Sequence, residues 1–374
     1  MMKGWTTQPM GRLCSIKNGK SNSEDAIEDA PYAFFDRSKK IKRSTKYLFD
    51  CEALIIPGEG AEFLPRHYEG KFDLHQRAYA LYDFREAIDT KYLYYFLIHS
   101  KDYWPRVAVG ATVKSLRLRH FEDLPISHPP LPEQQRIVGK MDAAFAALGE
   151  AQALVERNRA NARELFESYL NGVFERKGDG WVEKTLAEVC TLRSGTTLPP
   201  EVEKEDGELA YLKVADMSVK GNERVVTTSS RFVDHSIIRA NNVFPIGTTI
   251  FPKRGGAILT NKKRLTSVEI VADLNIMGLT PNDELLPEFL FNYFLQLDLR
   301  DINNGSSIPQ INNYSIEPLL IGFPSSKKEQ RRIVEKLESL YQESTRLETT
   351  YQQKLSDLDA LKKGLLGAAF RGEL

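Results

Sequence analysis

Cysteine is scarce in this chain: only Cys14, Cys51 and Cys190 occur among 374 residues. Three scattered cysteines provide neither a disulfide framework nor the closely spaced pairs that bind metals. The six histidines are also dispersed, so we expect no metal site. This usage suits a reducing compartment, and we expect a cytoplasmic protein.

Long apolar runs are missing as well. No stretch approaches the roughly 18 apolar residues that span a bilayer. The opening residues MMKGWTTQPMG lack the apolar segment of a signal peptide. Apolar residues still make up 41% of the chain, enough for ordinary cores. We therefore expect no membrane association, and the length suggests two or three domains.

The chain carries no excess of either charge, with 51 basic and 51 acidic residues. A protein that binds nucleic acid without sequence preference usually has a clear basic excess. Any affinity for phosphate groups must therefore come from local basic patches.

Complete catalytic motifs are also lacking. Gly19, Lys20 and Ser21 match the end of a phosphate-binding loop, but Cys14 occupies the position of its first glycine. The HPPL segment at residues 128–131 lacks both the polar and the aromatic end of the amino-methyltransferase motif. No G-x-S-x-G elbow occurs. We predict that the chain is not an enzyme.

What the chain does contain is an internal repeat. EQQRIV begins at Glu133 and EQRRIV begins at Glu329, and the alignment continues without a gap for about 42 residues. A second match places residues 4–19 over residues 180–195, with Trp5 on Trp181. The separation grows from 176 to 196 residues, so the second half carries about 20 additional residues in its variable part.

The repeat predicts four segments in the order globule, helix, globule, helix. Their bounds are 1–130, 131–178, 179–325 and 326–374.

Both predicted helices carry an apolar seam with alternating spacings of four and three residues, the heptad pattern of a coiled coil. Because a globule separates them, we expect the two seams to pack antiparallel and to relate the two halves by a pseudo-two-fold axis. The first seam comprises Ile137, Met141, Ala144, Leu148, Ala151, Val155, Asn158, Ala162, Leu165 and Tyr169. The second comprises Ile333, Leu337, Leu340, Ser344, Leu347, Tyr351, Lys354, Leu358, Leu361 and Leu365.

Asn158 and Lys354 are equivalent polar positions in these seams. Such residues can fix the register of a coiled coil, or they can mark a solvated gap where the helices splay. Both interpretations stay open.

The two globules have a mixed pattern in which short strand-like runs alternate with polar loops. Residues 91–100 and 287–297 predict one buried aromatic helix in each globule. We interpret these aromatic residues as core, rather than as a platform that stacks nucleic-acid bases. The predicted fold class is α+β, with two mixed globules and two long helices.

Basic runs occur in both globules, at residues 37–46, 252–256 and 261–264. Adjacent glycine and turn residues suggest that loops present these side chains, either as solvated surface or as phosphate contacts. The loops at residues 110–114 and 305–310 combine glycine with hydroxyl and amide groups, which can reach bases or simply close a turn. The candidate DNA-binding residues are Lys39, Lys40, Lys42, Arg43, Thr112, Lys114, Lys253, Arg254, Lys262, Lys263, Arg264, Ser307 and Gln310.

The layout of PPLPEQQRIV and KKEQRRIV before two repeated helices, with GW…C…G opening two variable globules, resembles the specificity subunit of type I restriction-modification systems. The resemblance covers essentially the whole chain. The repeat ends GVFERKG and AAFRGEL are also typical of that family.

This resemblance implies that each globule recognises one half of a bipartite sequence in double-stranded DNA. It also implies that the helices set the distance between the halves and dock two adenine N6-methyltransferase subunits, which restriction subunits then join. S-adenosylmethionine, ATP and Mg²⁺ would bind to those partners, and no cofactor would bind to this chain.

Two alternatives differ in class. A fused methyltransferase-nuclease would need the cofactor loop that this sequence lacks. A coiled-coil scaffold without a DNA role would need no basic loops, and both globules contain them.

Overall fold

A computed structural model describes residues 4–60, 62–303, 305 and 308–374. The chain forms two compact units, Met1–Arg157 with Gln352–Leu374, and Asn158–Tyr351. Each unit contains one globule together with parts of both long helices. None of the helices in the described ranges is long and apolar enough to cross a bilayer.

The first globule is built on a six-stranded sheet with the order β2-β7-β5-β6-β3-β4. Its strands are β1 (Thr6–Pro9), β2 (Ser15–Asn18), β3 (Tyr32–Phe35), β4 (Lys42–Ser44), β5 (Phe49–Pro57), β6 (Arg66–Leu74), β7 (Ala78–Tyr82) and β8 (Pro125–His128). Its helices are α1 (Thr90–His99), α2 (Trp104–Val107) and α3 (Leu118–Glu122). The long helix α4 (Leu131–Arg176) follows.

The second globule contains a five-stranded sheet, β10-β18-β15-β16-β12, and a four-stranded sheet, β13-β11-β17-β14. Its strands are β9 (Trp181–Thr185), β10 (Cys190–Ser194), β11 (Leu209–Leu212), β12 (Val225–Val226), β13 (Phe232–Val233), β14 (Val243–Phe244), β15 (Thr249–Pro252), β16 (Arg264–Thr266), β17 (Ile270–Ala272), β18 (Ile276–Pro281) and β19 (Leu320–Pro324). Its helices are α5 (Leu186–Val189), α6 (Pro287–Gln296), α7 (Leu299–Ile302) and α8 (Asn313–Ile316). The long helix α9 (Lys327–Phe370) follows β19.

The two globules share one framework. In the first, β1 pairs antiparallel with β8 and β3 pairs parallel with β6; in the second, β9 pairs with β19 and β11 with β17 in the same senses. The second globule is longer chiefly between β11 and β15, where residues 213–248 stand in place of residues 36–48. The repeat predicted from the sequence is therefore confirmed as a structural repeat.

The aromatic helices α1 and α6 lie in the cores, as predicted. Tyr92 and Leu93 of α1 are fully buried, as are Phe289 and Phe294 of α6. Burial raises the pKa of Tyr92 above its usual range, which is expected of a phenol enclosed by apolar side chains. These rings are packing groups and are not exposed for base stacking.

In each unit, α4 and α9 pack antiparallel. In the first unit, Met141 of α4 shares a core with Leu366 and Phe370 near the end of α9. In the second unit, the Ser344 hydroxyl donates to the Ala162 carbonyl at 2.7 Å. The antiparallel pairing predicted from the seams is confirmed.

The predicted seams are not buried along their whole length. Leu165, Tyr169 and Leu361 have exposed fractions of 60%, 40% and 52%. A nearly straight helix has 3.6 residues per turn, so a strict heptad seam drifts by roughly 20° per heptad. At this end of α4 the buried side chains are Leu170 and Phe174, which pack into the core of the second globule. Assigning these three seam residues to the helix interface was wrong.

The polar seam positions differ from each other. Asn158 is half-buried, whereas Lys354 is exposed.

The repeated EQ motif contains a fully buried glutamine in each unit. Gln134, in the first turns of α4, accepts a hydrogen bond from the Asp89 amide at 2.8 Å. Its own amide donates to the carbonyls of Ala87 and Pro129, at 2.9 and 2.8 Å. One side chain thus joins the start of α4 to the chain entering α1 and to the chain leaving β8.

Gln330 makes the same three hydrogen bonds in the second unit. It accepts from the Leu286 amide at 2.8 Å and donates to Glu284 and Pro324 at 2.8 and 2.9 Å. The following positions, Gln135 and Arg331, are exposed. The motif is repeated because each globule is joined to its helix in the same way.

We predict that Gln134→Met lowers the free energy of unfolding by about 2–5 kcal/mol, because it leaves buried backbone groups without partners, each costing about 1–3 kcal/mol. Urea denaturation measures the loss, and hydrogen exchange at the Asp89 amide should accelerate. Gln135→Met is the matched control and should change stability by less than about 0.5 kcal/mol. Equal effects of the two substitutions would contradict this role for Gln134.

Candidate nucleic-acid interface

Three chain segments meet beside the sheet of the first globule. The Leu116 amide donates to the Gly58 carbonyl at 2.7 Å, and the Gly60 amide donates to Lys114 at 3.1 Å. The Gly58 amide donates to the Arg77 carbonyl at 2.7 Å. We call this arrangement, formed by residues 58–60, 75–77 and 110–116, the first loop junction.

The second globule forms the same arrangement. The Ile311 amide donates to Lys253 at 2.9 Å, and the Gly255 amide donates to Pro309 at 2.8 Å. The Lys253 amide donates to the Asn275 carbonyl at 2.8 Å. We call this arrangement the second loop junction; it is formed by residues 253–255, 273–275, 305 and 308–311. The two junctions therefore present different side chains on one backbone framework.

Glycines with positive φ turn both variable loops. Gly110 has φ of 113° and Gly305 has φ of 66°, a region that glycine adopts without steric cost. A Cβ on Gly110 would lie 2.2 Å from the Val113 carbonyl oxygen. The glycines are needed to close these turns, which leaves the other loop residues available for contacts.

Cations surround the first loop junction. A concave surface of about 590 Å³ is lined by Arg37, Lys39 and Arg66, together with Glu59 and Glu62. An adjoining concavity of about 210 Å³ contains Arg37 again, with His75, Gln76 and Arg77. Basic groups outnumber carboxylates along these surfaces. A phosphate backbone is a suitable ligand for such a patch.

Arg77 is held in place by Glu59. Its Nη1 donates to both carboxylate oxygens, at 2.7 and 2.9 Å. The hydrogen bonds that Arg77 donates to Glu59 raise the pKa of the arginine. The Arg77 amide also donates to Nδ1 of His75 at 3.1 Å, so this imidazole carries its proton on Nε2. Burial lowers the pKa of His75, which favours that neutral form.

The predicted DNA-binding residues of the first globule fall into two groups. Lys39, Lys40, Thr112 and Lys114 are exposed. Thr112 and Lys114 belong to the first loop junction, and Lys39 lines the concave surface beside it.

Lys42 and Arg43 lie on strand β4 and not on a loop. Lys42 forms an ion pair with Asp36 at 2.6 Å, and Arg43 donates to the carbonyls of Ala30 and Pro31. Burial of Asp36 opposes its ionisation, but hydrogen bonds from Lys42 and Ser38 prevail and lower its pKa. These two cations stabilise the strand.

In the second globule, the predicted residues at the junction are Lys253, Arg254 and Gln310. Arg254 is exposed and pairs across the junction with Gln310. Lys253 is half-buried and donates to the Ser194 hydroxyl at 2.7 Å. Burial, followed by the charge of Arg254, lowers the pKa of Lys253. The predicted residue Ser307 lies outside the described residues.

The basic run at residues 262–264 is turned inward. Lys263 is 3% exposed and donates to the Leu297 carbonyl and to the Asn261 side chain. Burial lowers the pKa of Lys263 to about 8. Arg264 is 9% exposed and donates to the Met217 carbonyl at 2.7 Å.

The expectation that a loop presents Lys263 and Arg264 was therefore wrong. Arg264 begins strand β16, and both cations donate to carbonyls inside the protein. Lys262, half-buried, donates to the Ser218 hydroxyl at 2.5 Å. DNA contact by the exposed candidates stays a prediction.

Sequence reasoning missed Arg37, Arg66, His75, Gln76 and Arg77 as members of one surface. Arg37 belongs to a basic run, Arg66 is isolated in the sequence, and the other three are consecutive. The available signal was the polar HQR turn at residues 75–77, between two apolar strands.

The comparisons with known proteins all find the same kind of protein. The family model described as "Type I restriction modification DNA specificity domain" matches residues 2–154 and 178–357. The chain is 22% identical to the specificity subunit of the type I restriction enzyme EcoDI from Escherichia coli, covering 99% of this chain and 88% of that one. It is also 22% identical to the EcoKI specificity subunit from Escherichia coli K12, covering 72% and 61%.

Two solved structures share the fold. One, from work on complex assembly and conformational transition of the type I restriction-modification system, has a TM-score of 0.77 and 19% identity, covering 100% of this chain and 99% of that one. The HsdS subunit from Thermoanaerobacter tengcongensis has a TM-score of 0.59 and 19% identity, covering 100% and 98%.

The family match extends over both repeats, and both repeats carry the same loop junction and the same helix-anchoring glutamine. The chain belongs to the family of type I restriction-modification specificity subunits, and its two globules are the target-recognition domains of that family.

Proposed function

We propose that the chain is the non-catalytic DNA-reading subunit of a type I restriction-modification complex. Each target-recognition domain reads one half of a bipartite site in double-stranded DNA. The observation that carries this proposal is the duplicated loop junction, because one backbone framework presents two different sets of side chains. Two different half-sites require two readers of this kind.

We further propose that the long helices dock two adenine N6-methyltransferase subunits. Leu165 and Tyr169 on α4 are apolar and exposed, and Leu361 on α9 is exposed at the position equivalent to Leu165. Exposed apolar residues on repeated surfaces suit two copies of one partner. Restriction subunits would complete the complex, and S-adenosylmethionine, ATP and Mg²⁺ would act on the partners.

The purified chain should transfer no methyl groups, because it lacks a complete cofactor-binding or catalytic motif. The assay measures incorporation of label from S-adenosylmethionine into duplex DNA, with and without the modification subunits. Label should appear only when those subunits are present. Incorporation by the chain alone would show that it is an enzyme.

Exchanging residues 180–325 for the corresponding domain of a relative should change one half of the methylated sequence and leave the other half intact. Sequencing of methylated sites in a random DNA library gives both halves at once. The reciprocal exchange of residues 1–130 is the matched control and should alter the opposite half. If either exchange altered both halves together, the two domains would not read independently.

Exposed and buried cations should respond differently to substitution. Arg254→Ala should weaken DNA binding by the assembled complex and reduce the slope of log K against log salt by about 1, as expected for one lost phosphate contact. Lys263→Met should leave that slope unchanged and lower stability instead, because two internal acceptors lose their donor. An unchanged slope for Arg254→Ala would assign that residue to solvated surface.

A further inference from the structure

The Glu59–Arg77 pair at the first loop junction is not required by the fold. The second junction forms the same three backbone hydrogen bonds with Arg254 at the position of Glu59 and Asn275 at the position of Arg77. A fold that tolerates both sets of side chains does not select either one. The backbone framework therefore does not explain why the first globule has a Glu59–Arg77 pair.

The pair is built to aim a guanidinium outward. The Glu59 side chain is 15% exposed and the Arg77 side chain is 61% exposed, so the carboxylate is the enclosed partner and the arginine projects from it. Only Nη1 of Arg77 bonds to Glu59. Within the described ranges, Nη2 and Nε make no hydrogen bond, which leaves donors along a second edge of the guanidinium.

The backbone of Arg77 is fixed as well. Its carbonyl accepts from Gly58 at 2.7 Å and its amide donates to His75 at 3.1 Å. An exposed arginine normally loses considerable side-chain entropy when it binds a ligand. Here the side chain and the backbone are both held beforehand, and such preorganisation favours a specific contact over a diffuse one.

We propose that Arg77 reads a guanine in the DNA half-site of the first target-recognition domain, and that Glu59 is the residue that positions it. The inference rests on the proposed DNA-reading function. Donors on one guanidinium edge match the O6 and N7 acceptors that guanine presents in the major groove. A phosphate contact would need charge but no fixed orientation, and Lys39 and Lys114 already supply exposed charge nearby.

The test uses the complex of this chain with its modification subunits and a random-sequence DNA library, with methylated sites read by sequencing. Arg77→Lys keeps the charge but loses the planar fork. It should reduce the preference for guanine at one position of one half-site by about tenfold or more, while the other half-site stays unchanged. Glu59→Gln should relax the same position to a smaller degree.

Arg85→Ala is the matched control. Arg85 is also an exposed, ion-paired arginine, since it contacts Asp83 at 3.0 Å with 54% of its side chain exposed, but it lies outside the junction. It should leave the methylated sequence unchanged. The same relaxation in the Arg85 variant would overturn the assignment to Arg77.

Two further results would also overturn it. An unchanged methylated sequence in both Arg77→Lys and Arg77→Ala would leave the pair a structural contact. Uniformly weaker binding with a shallower salt dependence, and no change in sequence, would make Arg77 a phosphate contact. Failure of the unaltered complex to methylate any defined sequence would contradict the proposed function itself, and so is distinguishable from these results.

Discussion

The buried glutamine of each repeat is the interaction on which the rest of the structure depends. Gln134 and Gln330 are fully enclosed, and each satisfies three backbone groups from two separate segments of its globule. An enclosed amide without partners would cost several kcal/mol, so the helix start and the globule must fit together in one arrangement. The recurrence of EQ in the sequence follows from this constraint.

A constant attachment allows the exposed loops to vary. In the second unit, the Arg224 guanidinium lies 4.1 Å from the Tyr341 ring centre and 3.5 Å from Glu338, and this contact further fixes the domain to α9. The described side chains of the loop junctions are not among the residues that attach a globule to its long helix. The side chains of the two junctions can therefore differ while each globule keeps the same attachment to its helix.

The sequence predicted the features that depend on repetition and periodicity: the two halves, the antiparallel helices and the aromatic cores. Sequence-based prediction was wrong where tertiary packing determines which side chains are buried. Leu165 is exposed because the helix period departs from the heptad. Lys263 can be buried because the Leu297 carbonyl accepts a hydrogen bond from its ammonium group. The contact between Arg77 and Glu59 could not be predicted, because the two residues are 18 positions apart in sequence and the pairing of β5 with β7 brings them together.

The most direct test of this account is a structure, by electron cryomicroscopy, of the chain with its modification subunits on a duplex that carries the sequence the complex methylates. Both loop junctions should contact DNA, with Arg77 within hydrogen-bond distance of a base in one half-site and Arg254 beside the phosphates of the other. Duplex DNA bound through other surfaces, with both junctions facing solvent, would contradict it.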